Sequence, residues 1–203
     1  YMLHRLSWDH NEDIKTIVED FCSIHFGPEV AEDMATIYLT SDNAYKYGLH
    51  IEPISYGQFN SFLHMRVGTF PAMGYPRLDG GKEHMNFLND IYLRCKPWQN
   101  ETIKYLDHGL NLASKMLIKF ITVKSKIQDK EKADKVENSL KMTEQLIRTN
   151  GNYAKTIFAY FNHSEKGTEQ SRKQLQTAYN NMISTKSDFM NVPNYGYQLF
   201  GVD

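Results

Sequence analysis

The sequence is poor in the residues that make special chemistry recognisable. It has only two cysteines, Cys22 and Cys95. Two thiols close at most one bridge, and their separation in sequence says nothing about contact. No Cys-x-x-Cys pair or Cys/His cluster offers the ligand spacing of a zinc site. Charge of one sign is not in excess: 23 Lys and Arg stand against 24 Asp and Glu, a net of −1. That balance gives no electrostatic reason to propose nucleic acid or an anionic membrane as a partner. No window approaches the roughly 18 consecutive apolar residues of a membrane span. No apolar stretch follows Tyr1-Met2-Leu3-His4-Arg5, so no signal peptide is read there. There is no repeat, no low-complexity run and no Gly-x-Ser-x-Gly elbow. Asp79-Gly80-Gly81-Lys82 lacks the strand and the glycine spacing of a phosphate loop and reads as a turn.

What is present belongs to a globular chain. Hydrophobic residues make up 41% and charged residues 23%, the balance of a folded domain rather than a disordered one. Aromatics reach 13%, mostly Tyr and Phe. Leu3, Leu6 and Trp8 read as core residues at the start of the sequence, as in a piece of a longer chain. Asp9 or Asn11 is expected to cap a helix carrying Ile14, Ile17, Val18, Phe21 and Cys22, which Gly27 stops. Pro28 suits the first turn of a second helix, whose apolar side is Val30, Ala31, Met34, Ala35, Tyr38 and Tyr45 and whose end is Gly48.

From 49 to 81 the periodicity fails. Glycine and proline punctuate this stretch, which also carries Tyr56, Phe59, Phe62, Phe70 and Tyr75. A long irregular loop rich in aromatics is either functional or packed on another domain. Helical pattern resumes at Lys82, with Met85, Leu88, Ile91 and Tyr92 on one face, and Pro97 closes the segment. Ile103, Leu106, Leu110, Ala113, Leu117, Phe120 and Ile127 then mark a long helix. Ala133, Val136, Leu140, Ile147, Ala154, Ile157 and Phe161 mark another, with Asn150-Gly151 as an expected kink. A turn over 163–168 leads to a last helix with Leu175, Ala178, Met182 and Phe189. The fold class is therefore all-α: an antiparallel three-helix bundle over 99–190, a preceding part over 1–98 that contains the loop 49–81, and a tail over 191–203.

The candidate chemistry gathers around the loop. His50 and Glu52 alternate along an extended segment and would share one face, as a proton-transfer pair would. Ser55, His64 and Asp79 could be assembled into a hydrolytic triad only on paper. Metal binding by His50, His64 and His84 would need a convergence in space that their spacing alone cannot show. Trp8, Tyr56, Tyr75 and Trp98 could stack on sugar rings; the plainer reading is that they pack against a neighbouring domain.

One stretch carries a resemblance. Arg5-Leu6-Ser7-Trp8-Asp9, a helix ending in Phe26-Gly27, and a second helix running into Tyr47-Gly48-Leu49-His50 resemble the passage from barrel to helical C-terminal domain in family 67 α-glucuronidases and related polysaccharide-degrading hydrolases. Those proteins carry an Arg-Leu-Ala-Trp-like segment before the helix and Gly-Leu-His after the next; a second His stands in the family where Ile51 stands here. The resemblance implies a domain without catalytic residues or cofactor of its own, which buttresses an upstream catalytic barrel of the same protein and borders its active-site mouth. It places His50, Glu52, Tyr56, Tyr75 and Trp98 nearest substrate. It implies subunit contacts, hence a homodimer, and a periplasmic or secreted parent; the compartment of this chain itself is unknown. Two rival readings stand beside it. One is a self-contained helical interaction or oligomerisation module. The other is a small independent enzyme using His50 and Glu52.

Overall fold

Every element of the computed structural model, which describes residues 1–49 and 82–190, is helical, so the chain is all-α. The helices are α1 (Met2–Trp8), α2 (Ile14–Phe26), α3 (Ala31–Leu49), α4 (Lys82–Cys95), α5 (Gln99–Val123), α6 (Lys130–Lys166) and α7 (Glu169–Met190). Short 3₁₀ turns at Pro28–Val30, Lys96–Trp98 and Lys124–Lys126 join neighbours.

The start of α2 differs from expectation. The cap is neither Asp9 nor Asn11 but Asp13, whose carboxylate accepts the Thr16 N–H at 3.0 Å. A side-chain acceptor serves the N2 or N3 amide, so the cap must sit directly before the first helical residue. Asp9 and Asn11 are two and more residues too early. Gly27 ends α2 at φ 104°, a conformation that side chains resist.

Gly48 does not stop α3, which runs on to Leu49. Gly48 is buried. Asn150-Gly151 falls inside α6, as expected, and α6 continues through the expected 163–168 turn as far as Lys166. Gly167, at φ 59°, makes the reversal into α7. A helix tolerates an internal Gly or Asn where packing replaces the lost propensity, and both residues are buried here.

The buried stripe of α5 is Thr102, Leu106, Gly109, Ala113, Met116, Phe120 and Val123, carried on to Ile127. Its steps alternate between four and three, the seven-residue period of a coiled-coil seam. In α6 the same rhythm runs through Leu140, Glu144, Ile147, Gly151, Ala154, Phe158 and Phe161. Of the expected stripe, Leu106, Ala113, Phe120 and Ile127 lie on the seam, whereas Ile103, Leu110 and Leu117 flank it half-buried, one position beyond Thr102, Gly109 and Met116. Their hydrophobicity hid the fact that a glycine occupies a seam position.

Contacts group the chain into two compact units, each holding part of α5 and α6. The first comprises Tyr1–Ala44 and Asn111–Glu144. Within it Lys119 pairs with Asp33 at 2.6 Å, and the Lys132 ammonium donates to the His25 carbonyl at 3.0 Å. Ser114 donates to Glu144 at 3.0 Å, and Lys124 spans Asp134 and Glu137 across the α5–α6 turn, which fixes these segments antiparallel.

The second unit comprises Tyr45–Leu110 and Gln145–Asp203. Its core holds Leu88, Tyr92 and Cys95 of α4, Leu106 of α5, and Ala154, Ile157, Phe158 and Phe161 of α6. Tyr92 stacks on Phe161 at 4.9 Å and donates its hydroxyl to Asn162 at 3.2 Å. Here α7 lies on α6 through polar contacts: Asn152 donates to Thr185 at 2.7 Å and Thr156 to the Ala178 carbonyl at 3.1 Å.

Both cysteines are free and buried. Burial pushes the Cys22 thiol up to about 11 and the Cys95 thiol up to about 12. The thiolate is the reactive form, and an unperturbed thiol titrates near ~8.5. At pH 8 the folded protein is therefore expected to give no rapid reaction with a thiol-disulfide reagent, and to yield two equivalents once denatured. A fast-titrating thiol in the native protein would contradict the burial of that residue.

Candidate functional site

The second unit has a feature that begins with two glycines. Gly48 lies in the last turn of α3, and Gly109 occupies a seam position of α5. A Cβ added to Gly109 would overlap the backbone of Gly48 and reach within 2.7 Å of the Tyr47 carbonyl carbon. A Cβ added to Gly48 would meet the Ile147 side chain at 2.5–2.9 Å. The two helices thus cross backbone against backbone, which only glycine permits. Asn150 of α6, fully buried, donates its amide to the Gly48 carbonyl at 2.9 Å.

This crossing lays Tyr47 on the outer face of α5. Tyr47 stacks on Tyr105, ring centroids 5.5 Å apart and planes within 2°, and meets His108 edge-on at 4.9 Å. Lys46 stands 5.9 Å from the Tyr47 ring centre. Glu101, Lys104, Tyr105 and His108 recur at the i, i+3, i+4, i+7 spacing of one helical face. With Tyr47 they line a cleft of about 410 Å³. Its walls are aromatic, and its polar groups are one carboxylate, one ammonium, one imidazole and two phenol hydroxyls.

The residues singled out from sequence stand apart from this cleft. His50, Glu52, Tyr56 and Tyr75 lie outside the described residues, as do Ser55, His64 and Asp79. Trp98 ends the Lys96–Trp98 turn, 58% exposed, and is not among the cleft residues. Trp8 is 86% exposed on α1. Sequence reasoning missed Tyr105 and His108. Their signal was the 101, 104, 105, 108 spacing, which on an outward face reads as ordinary solvated helix until Tyr47 is laid across it. Tyr47 itself belongs to the Tyr47-Gly48-Leu49-His50 motif.

The N-terminal motif has a structural account. Arg5 pairs with Glu12 and, at 3.0 Å, with Asp20, and it donates to the Tyr1 hydroxyl at 2.9 Å. These bonds hold α1 against α2. The helix buries none of its residues, and Leu3 is 85% exposed. The expectation that Leu3, Leu6 and Trp8 are core residues fails within this chain, because α1 is tied down by ion pairs rather than by its apolar side chains.

Among the described residues no group of three or more His, Cys, Asp or Glu side chains converges as a metal site would, and no helix is long and apolar enough to cross a membrane. No family model, curated protein or solved structure matches the chain.

Proposed function

We propose that this chain is the helical C-terminal domain of a polysaccharide-degrading glycoside hydrolase related to family 67 α-glucuronidases, and that it supports an upstream barrel that carries the catalysis. One observation carries the reading: α1 turns Leu3 and Trp8 almost wholly to solvent, in the segment where the family's barrel joins its helical domain. Isolated exposed apolar residues are ordinary, but a tryptophan and a leucine on one short helix without a single buried residue form a surface suited to being covered. The substrate-facing part in this reading is the chain from His50 onward, with Glu52, Tyr56 and Tyr75.

The test is co-expression of this chain with the barrel encoded upstream of it. The expected result is a complex that Leu3→Asp combined with Trp8→Asp dissociates, with no aryl-glycoside turnover by the chain alone. Turnover by the isolated chain, or a parent gene without a barrel, overturns the proposal.

A specific observation favours a second reading, a self-associating helical module. Ile118 and Ile121 of α5 are 62% and 55% exposed, one turn apart on the face opposite the seam. This reading requires a dimer in size-exclusion chromatography with light scattering, lost in Ile121→Glu. A monomer at every concentration removes it.

A further inference from the structure

We infer that the Tyr47–Tyr105–His108 cleft is a saccharide-binding site that takes a pyranose unit of a polysaccharide. The choice of ligand class rests on the carbohydrate-active reading above; the geometry that recommends the cleft does not. Tyr47 and Tyr105 are parallel with centres 5.5 Å apart. Carbon atoms in contact lie about 3.5–4.0 Å apart, so parallel rings with centres this distant are offset. The offset leaves part of each ring uncovered and gives a stepped aromatic platform. Tyr105 is 49% exposed, enough to leave a ring face to solvent. A pyranose presents an apolar C–H face and a rim of hydroxyls, which matches a tyrosine's flat apolar ring and polar edge.

The polar groups decide between ligand classes. Glu101 offers acceptors, Lys104 offers donors, and His108 can serve as either. Glu101 and Lys104 offset each other in charge, and a second ammonium, Lys46, stands 5.9 Å from the Tyr47 ring centre, so the surroundings disfavour an ammonium ligand. A polyhydroxyl ligand needs donors and acceptors together. The two larger rings are held by the fold: Tyr47 by the Gly48–Gly109 crossing, Tyr105 by its place one turn earlier on α5. A pre-positioned platform loses little side-chain freedom on binding.

The experiment is calorimetric titration of the full chain with xylohexaose and with cellohexaose. Saturable binding of at least one of them is expected. Tyr105→Ala should weaken it by about tenfold or more, the size of a lost aromatic stacking contact with its polar edge. Glu101→Gln should weaken it less, and Tyr179→Ala, at an exposed tyrosine of α7 outside the cleft, should leave it unchanged. Circular dichroism checks that each variant folds, and Tyr105 is exposed enough that its removal leaves the core intact. No binding of either oligosaccharide at millimolar concentration overturns the inference, as does binding that Tyr105→Ala leaves unaltered. Binding by this chain is read without the barrel, so failure here is distinct from failure of the domain assignment: a chain that joins a barrel but binds no hexaose removes this site alone.

Discussion

Replacing Gly109 by Ala is expected to destabilise the protein by about 3 kcal/mol or more, in spite of the better helix former being introduced. Ala in place of Gly in a helix interior ordinarily gains about 1 kcal/mol. Against that stands the new methyl group, which would occupy the space of the Gly48 backbone. A side chain would have rotated away; a backbone can yield only if α3 and α5 separate. Overpacking of this kind costs about 1–3 kcal/mol where side chains can adjust, and more where they cannot. Separation also breaks the Asn150–Gly48 hydrogen bond and the Tyr47–Tyr105 stack. Gly109→Ala is therefore expected to abolish saccharide binding even at temperatures where the protein remains folded.

Gly151→Ala supplies the control, because it makes the same substitution in a neighbouring helix. The nearest atom to a Cβ there is Leu106 Cβ at 3.9 Å, an ordinary contact, and the position is helical. Propensity then decides, and the variant should be more stable by about 0.5–1 kcal/mol. Thermal denaturation of the two variants should move the midpoint in opposite directions. Equal shifts, or a Gly109→Ala protein as stable as the parent, would contradict the backbone-to-backbone crossing.

Phe120→Ala is the second substitution expected to be severe. Phe120 is fully buried at a seam position of α5, in the unit formed by Tyr1–Ala44 and Asn111–Glu144. Removing a buried phenyl ring costs the transfer of its atoms to water and leaves a cavity, about 3–5 kcal/mol together. For a chain of this size each kcal/mol lowers the melting temperature by about 2–4 °C, so a fall of roughly 10 °C is expected. Phe120→Leu keeps most of the volume and should lose much less. Leu117→Ala is the matched comparison one turn away: that side chain is only half-buried beside the seam, and its loss should cost clearly less. A larger effect at Leu117 than at Phe120 would show that the seam had been assigned to the wrong face.

That pair of leucine and phenylalanine marks the limit of what the residues alone disclose. The all-α class and most of the helices were legible, because apolar residues returning every three or four positions bury themselves only as helices. Pro28, Pro97 and Gly27 fixed boundaries through their backbone chemistry. Phase was less legible. Ile103, Leu110 and Leu117 are as apolar as their neighbours, and the periodicity defines an arc rather than its centre. The centre depends on what packs there, and at Gly109 what packs is another backbone, whose approach leaves no hydrophobic signature.

The cleft follows the same division. Its α5 residues lie on one face by spacing alone, which the sequence determines. Whether that face is a site depends on Tyr47, which comes from a distant part of the chain and arrives only through the Gly48–Gly109 contact. The sequence likewise supplied Leu3 and Trp8 as apolar residues fit for burial. Their exposure was decided by Arg5, which holds α1 to α2 through Glu12 and Asp20 and leaves the apolar side chains facing out. Sequence determined which residues can form helices and which faces can bury; tertiary structure decided which of those faces meet, because a close approach depends on two surfaces at once and neither records the other.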